Sequence, residues 1–199
     1  MIEEREAAFD GPSVRRMFTA LEQRIDTLEG RVDREFADIK EQMPDNRLSL
    51  VLFSGDLDKT LAAFIIATGA ASMGLEVSMF FTFWGLSAVK ERRSFEGKNL
   101  METMMALMTP GSSKDLAPSK MAFFGAGSVM LRQMMKQKDV SSLEDMIDLA
   151  KELGVKIIAC EMSMDVMGIK AEELATECQL GGVAAFLADA TKSKATLFI

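Results

Sequence analysis

The segment Leu48–Phe53 (Leu-Ser-Leu-Val-Leu-Phe) is apolar at every position except Ser49. A strand with one face in water alternates apolar and polar residues. A short run without alternation reads as a strand buried on both faces, and that requires helices above and below a parallel sheet. The rest of the chain supplies them. Gly55-Asp56-Leu57-Asp58 is a turn, Lys59–Met73 reads as a helix closed by Gly74, and Glu76–Thr82 as a second strand. Methionines 101, 104, 105 and 108 recur at helical spacing before the loop Thr109-Pro110-Gly111-Ser112-Ser113. Lys120–Phe124 reads as a third strand, and Gly125-Ala126-Gly127-Ser128 leads from it into a helix, Val129–Lys138. Ser141 and Glu144 are spaced as a capping box for a helix reaching Leu153, stopped by Gly154. Val155–Cys160 is a fourth strand, Gly181-Gly182 precedes a helix over Val183–Lys192, and Thr196–Ile199 is a last strand. Strands separated by helices imply right-handed crossovers. The expected fold is a three-layer α/β sandwich around a mainly parallel sheet of about five strands, occupying residues 47–199.

Residues 1–46 have a different texture. They are dense in charge, and their apolar residues Val14, Phe18, Leu21, Ile25, Leu28, Val32, Ile39 and Met43 follow a heptad alternation. The alternation breaks at Glu35, where Phe36 falls one place late. Asp10-Gly11-Pro12-Ser13 reads as a helix start with Ser13 as its cap, and Pro44-Asp45-Asn46 as its stop. So polar a helix is marginal alone. Two arrangements are open: a coiled coil that joins copies through residues 14–43, or an amphipathic helix folded onto its own domain. The narrowness of the seam favours the first, and contact between copies of the α/β domain is expected to add to it.

Composition removes whole classes of chemistry. The 199 residues contain no histidine and no tyrosine, so histidine-dependent triads, histidine–zinc sites and imidazole acid–base catalysis are excluded. A formal charge of −7 argues against nucleic-acid binding. Two cysteines make no disulfide framework, and residues 1–16 carry no signal-peptide pattern, so a reducing cytoplasm is the expected location. Leu61–Leu75 and Val77–Gly85 together approach the length of a membrane span, but Gly69, Gly74 and Glu76 interrupt them. They read as buried helix, turn and strand, with peripheral membrane contact left open. The 17 methionines read as packing or interface residues rather than a copper site.

Ligands of an open parallel sheet bind beyond the carboxyl ends of its strands. That rim holds Ser54, Gly55, Asp56 and Asp58, then Phe83, Trp84 and Gly85, then Gly125, Gly127 and Ser128, then Cys160 and the segment Glu161–Gly168 with Ser163 and Asp165. Cys160 is the strongest nucleophile among them. At the start of a helix, free backbone N–H groups can stabilise its thiolate. It is equally open to being a buried structural cysteine. Without histidine there is no general base for a cysteine-protease mechanism, whereas thiol–sulfur exchange needs none. Cys178 is either a resolving thiol or a packing residue. Asp56 and Asp58 more readily cap a helix than bind a metal, Trp84 is either a lid or core, and Gly125-Ala126-Gly127 is a poor dinucleotide fingerprint. No cofactor or metal site is expected.

Three segments resemble the DsrE/DsrF-like sulfur-transfer family, in the subgroup termed peroxiredoxin-like. They are Leu50-Val51-Leu52-Phe53-Ser54-Gly55-Asp56-Leu57-Asp58-Lys59, Phe80-Phe81-Thr82-Phe83-Trp84-Gly85-Leu86 and Ala159-Cys160-Glu161-Met162-Ser163-Met164-Asp165-Val166-Met167-Gly168-Ile169. Gly181-Gly182-Val183 and Leu197-Phe198-Ile199 extend the likeness, which spans about 47–199. The resemblance implies a homo-oligomer acting in sulfur relay. Cys160 would carry a persulfide or thiosulfonate, Gly55, Asp56, Trp84, Gly125, Gly127, Ser163 and Asp165 would shape its pocket, and small sulfur donors or sulfur-carrier proteins would be its partners. Whether such a chain is a sulfurtransferase or only a carrier stays open. The segment Ser119–Gly125 lacks an asparagine associated with this position in relatives, and nothing supports peroxide reduction. The rival reading is a non-catalytic assembly module with a buried Cys160.

Overall fold

The computed structural model describes residues 11–120 and 125–199. They fall into two compact units that divide between Met43 and Pro44.

The first unit is one continuous helix, α1 (Pro12–Gln42), entered through Gly11 and with proline in its first turn, where a missing N–H costs nothing. Ser13 was the expected cap; Gly11 occupies that position instead and makes no side-chain bond. The break in the heptad at Glu35 does not interrupt the helix. The seam residues Phe18, Leu21, Ile25, Leu28, Val32 and Ile39 are all exposed, at 58, 52, 47, 55, 46 and 56%.

The second unit is a five-stranded parallel sheet in the order β4-β3-β2-β1-β5. Its elements are β1 (Asp45–Leu52), α2 (Leu57–Ser72), β2 (Glu76–Phe81), a 3₁₀ helix Phe83–Val89, α3 (Leu100–Met108), α4 (Ala126–Gln137), α5 (Leu143–Glu152), β3 (Lys156–Cys160), α6 (Glu161–Met167), β4 (Gln179–Gly181), α7 (Val183–Ala190) and β5 (Ser193–Phe198). β1 lies between β2 and β5 and is packed on both faces, Leu48, Leu50 and Leu52 in one core cluster and Val51 against the other, which explains its near-continuous apolar sequence. Ser49 is no flaw in that strand. Its buried hydroxyl meets Ser78 Oγ at 3.1 Å and Ser193 Oγ at 2.8 Å, a hydroxyl row across three strands.

Strand alternation sorts the core into two clusters. Leu48, Leu50 and Leu52 of β1, Val77, Met79 and Phe81 of β2, and Ile157 and Ala159 of β3 pack with α2 and α5 residues such as Phe64, Leu143 and Ala150. Phe80, Ile158 and Cys160 belong to the second cluster, covered by Phe186 of α7. The connection from β4 to β5 crosses the whole sheet in the direction opposite to the earlier ones. With right-handed crossovers it must therefore lie on the opposite face from α2.

Three local expectations shift. The capping box of α5 is Ser142 with Asp145, not Ser141 with Glu144; the spacing is the same, but this start fully buries Leu143. Asp145 accepts bonds from Ser142, which hold its carboxyl below the usual carboxylate range. The second helix begins at Leu57, so Asp56 takes its N-cap position and Asp58 its first turn. The expected strand Lys120–Phe124 falls, from 121 on, outside the described residues, and the fifth strand of the sheet is β4, a three-residue element with no strand-like pattern of its own. Among the described residues no helix is long and apolar enough to cross a membrane.

Candidate functional site

Cys160 is the last residue of β3 and the N-cap residue of α6, with φ −74° and ψ 110°. It pairs in the ladder with Gly181 of β4. Its side chain is not on the surface: the residue is 1% exposed and packs in the cluster of Phe80, Ile158 and Phe186. Ser163, one turn along α6 and fully buried, shares a 2.7 Å hydrogen bond with Thr82 Oγ1 at the exit of β2. This bond ties the cysteine turn to the neighbouring strand, so the geometry around Cys160 is set by β2 as well as β3. Asp165 lies on the outer side of α6, exposed, where it lines a cavity of about 370 Å³ with Glu161 and Lys170.

The first two sequence segments meet in a different place. Gly55, Asp56 and Trp84 line one cavity of about 480 Å³ together with Phe53, Lys59 and Ser87. The loops interlock through their backbones. A Cβ on Gly55 would lie 2.8 Å from Trp84 O, and one on Gly85 would lie 2.1 Å from Leu52 O. Gly85 N donates to Phe53 O at 2.9 Å, and Phe83 takes a positive φ of 48° to fit, its ring 5.5 Å from that of Phe53. The glycines of these segments are thus places of close backbone approach. Trp84 is 46% exposed, so it is not core, and the cavity it lines does not include Cys160. Asp56 Oδ2 accepts from Ser54 Oγ at 2.9 Å and from Lys59 Nζ at 2.7 Å, a carboxylate held by its own loop. Asp58 accepts from Ser119 N and Oγ at 2.8 and 2.6 Å. Burial would raise its pKa, but these two bonds outweigh it and hold the carboxyl low. Among the described residues no group of three or more acidic or cysteine side chains is placed to hold a metal.

Gly125, at φ +92°, caps α4 and Gly127 is buried in its first turn; neither lines the cavity of Gly55 or that of Asp165. The residues named from sequence therefore form two groups plus this turn. Cys178 belongs to the other core cluster, packed among residues on the α2 and α5 side. Burial, with Glu177 beside it, pushes its thiol up to about 11, which leaves little thiolate at neutral pH.

Sequence reasoning missed what covers the sulfur. Phe80 and Phe186, with ring centroids 5.3 Å apart, stand over Cys160 from different elements. Phe80 was readable, because period-two alternation puts it on the same face as Ile158 and Cys160. Phe186 had no local signal; only the crossover rule places its helix there. Removing this cover has a measurable consequence. Phe186→Ala is expected to speed alkylation of native Cys160 by at least roughly tenfold, since about 1.4 kcal/mol of local opening free energy is a factor of ten. An unchanged rate, followed by mass spectrometry of the labelled residue, would show that the thiol is reached by another route.

The family model for DsrE/DsrF/DrsH-like proteins matches residues 44–198. The chain is 43% identical to "Uncharacterized protein YrkE" of Bacillus subtilis over 154 residues, covering 77% of this chain and 96% of that protein. It is 34% identical to "Sulfur carrier protein DsrE2" of Allochromatium vinosum over 160 residues, 79% of this chain and 100% of that protein. Among solved structures, the crystal structure of the E. coli protein ychN aligns with a TM-score of 0.47 at 10% identity, over 77% of this chain and 98% of that one. The α/β unit, with its cysteine at the carboxyl end of β3 and its interlocked glycine loops, belongs to the DsrE/DsrF/DrsH-like family.

Proposed function

We propose that this chain is a sulfur carrier that holds a persulfide or thiosulfonate on Cys160 and passes it to a partner. The observation that carries the reading is the position of Cys160, at a strand end and opening a helix, in a chain that aligns with the full length of a relative named a sulfur carrier. The thiolate attacks the outer sulfur of a donor persulfide R–S–S–H. A Cys160 Sγ–S bond forms, the donor S–S bond breaks, and R–S⁻ leaves with the bonding pair; the transfer consumes no oxidant. With tetrathionate, the same attack displaces thiosulfate and leaves a sulfonated sulfur on Cys160. The reverse step delivers the sulfur to an acceptor thiolate, so small sulfur donors and thiol-bearing carrier proteins are the partners. Assembly into a homo-oligomer, through α1 and the α/β unit, is part of the same reading, as is a cytoplasmic site of action.

A second reading has its own support. Cys160 is 1% exposed, as a purely structural cysteine would be. One experiment separates the two. After incubation with inorganic polysulfide or tetrathionate, the intact native protein is expected to gain the corresponding sulfur mass. The gain should vanish in Cys160→Ser and persist in Cys178→Ser. An unmodified native chain under both donors, with Cys160 labelled only after denaturation, would sink the carrier reading.

A further inference from the structure

We propose that α1 pairs with α1 of a second copy as a parallel, in-register, two-stranded coiled coil. This deepens the reading of the helix as an assembly element and rests on it. Written as a heptad, the seam puts Phe18, Ile25, Val32 and Ile39 at one core position, a, and Leu21, Leu28 and Glu35 at the other, d. β-branched residues at a with leucine at d favour two parallel strands over three or four. All the apolar members of that seam are exposed on the chain.

Charge complementarity sets the direction. In a parallel pair each residue flanking the core at g faces the e position five residues on in the partner. Arg24 of each copy therefore meets Glu29 of the partner subunit, twice by symmetry. In the antiparallel register that overlaps the whole seam, Ile25 stacks on Leu28. That arrangement sets Arg24 against Arg31 and Glu22 against Glu29, each pair twice, so four like-charge contacts replace two attractive ones. Arg31, at the next g position, faces Phe36 of the partner subunit in the parallel pair and sits 3.9 Å from Glu35 of its own helix. Glu35 is the weak layer, because the parallel pairing brings two carboxylates together at one core level.

The test uses the full chain. Leu21 lies toward one end of the seam, so Leu21→Cys brings its thiols together only in the parallel register. With diamide as oxidant, the two thiols form one disulfide, and the two electrons and two protons reduce the diazene to the hydrazine. The expected result is a cross-linked dimer that the parent chain, treated identically, does not form. Ile25→Asp should abolish the cross-link in that background and weaken self-association through the helix by about a hundredfold, the cost of a charge in the seam. Glu35→Leu should do the opposite and tighten the association by at least about tenfold, a gain that misfolding cannot mimic. A dimer that fails to cross-link at residue 21, or an association indifferent to both Ile25→Asp and Glu35→Leu, overturns the proposal while leaving assembly by another surface. A monomeric parent chain overturns this proposal and the assembly reading together. None of these outcomes bears on sulfur loading at Cys160, which is read separately by mass.

Discussion

Replacing Glu173 with alanine is expected to cost about 3–5 kcal/mol of folding stability, read as a fall in the urea midpoint at constant slope. Glu173 ends a short 3₁₀ turn, Ala171–Glu173, and its side chain is wholly buried. Its carboxylate takes a bond from Lys98 Nζ, accepts from Lys170 N at 3.1 Å and Ser94 N at 3.4 Å, and lies 3.3 Å from Lys90 Nζ. Both lysine side chains are 1% exposed. Two ammonium groups thus depend on one carboxylate, and removing it strands two cations where water cannot reach them. Among the described residues Lys90 Nζ finds no hydrogen-bond partner, only its 3.3 Å ion pair with Glu173, even in the intact cluster. Lys90→Met is therefore expected to be neutral or mildly stabilising, which makes the pair of substitutions asymmetric in sign.

The pH dependence follows from the same groups. Burial pushes the Glu173 carboxyl up, but the bonds from Lys98 and Lys170 N and the charge of Lys90 outweigh it, so its folded value lies below 4.5. Its contribution is complete above that range and is lost as pH falls through the folded value. Burial pushes Lys90 down from 10.5 against the pull of Glu173. In Glu173→Ala that pull is gone, so the variant should regain stability as pH is raised toward 10.5, more steeply than the parent. A flat profile would mean that the lysines find water in the variant.

Gly85→Ala is the second large effect, expected to cost roughly 3 kcal/mol, the upper end of overpacking penalties. The added methyl would stand 2.1 Å from Leu52 O and 2.8 Å from Leu52 C, backbone atoms of the interior strand β1 that cannot step aside without breaking the pairing to β2 and β5. The hydrogen bond from Gly85 N to Phe53 O would be lost with the same movement. Gly55→Ala, whose Cβ would meet Trp84 O at 2.8 Å, should follow the same trend at smaller magnitude. Thermal unfolding of the two variants checks the order; an unperturbed Gly85→Ala would show that the loop is free to relax away from β1.

Much of this architecture is carried by local signals. The apolar run of β1, the helices ending at Gly74 and Gly154, the placing of Cys160 at a strand end and the heptads of α1 are all periodicities or turn chemistries within a dozen residues. What was not legible depends on distance along the chain. Lys90, Lys98 and Glu173 form one cluster from three polar residues in loop-like surroundings, and no spacing joins them. The close approach of Gly85 to Leu52 O has no local signal, because the strand it touches lies far back along the chain. β4 is three residues long and gains its strand geometry only from β3. The box at Ser142 was missed by one position because Ser141-x-x-Glu144 and Ser142-x-x-Asp145 overlap with the same spacing and share the same buried Leu143.

The sheet order also has a consequence for biogenesis. Among the described strands of the sheet, β1 leaves the ribosome before all the others and its neighbour β5 after them, with Asp45 paired to Ser193 and Val51 to Phe198. Until β5 is made, β1 carries an open edge of unpaired N–H and C=O groups, the feature that templates aggregation. A nascent chain stalled before residue 193 would expose that edge, so the protein's yield should depend on how fast β5 is delivered, and on whether a chaperone shields β1 until it arrives.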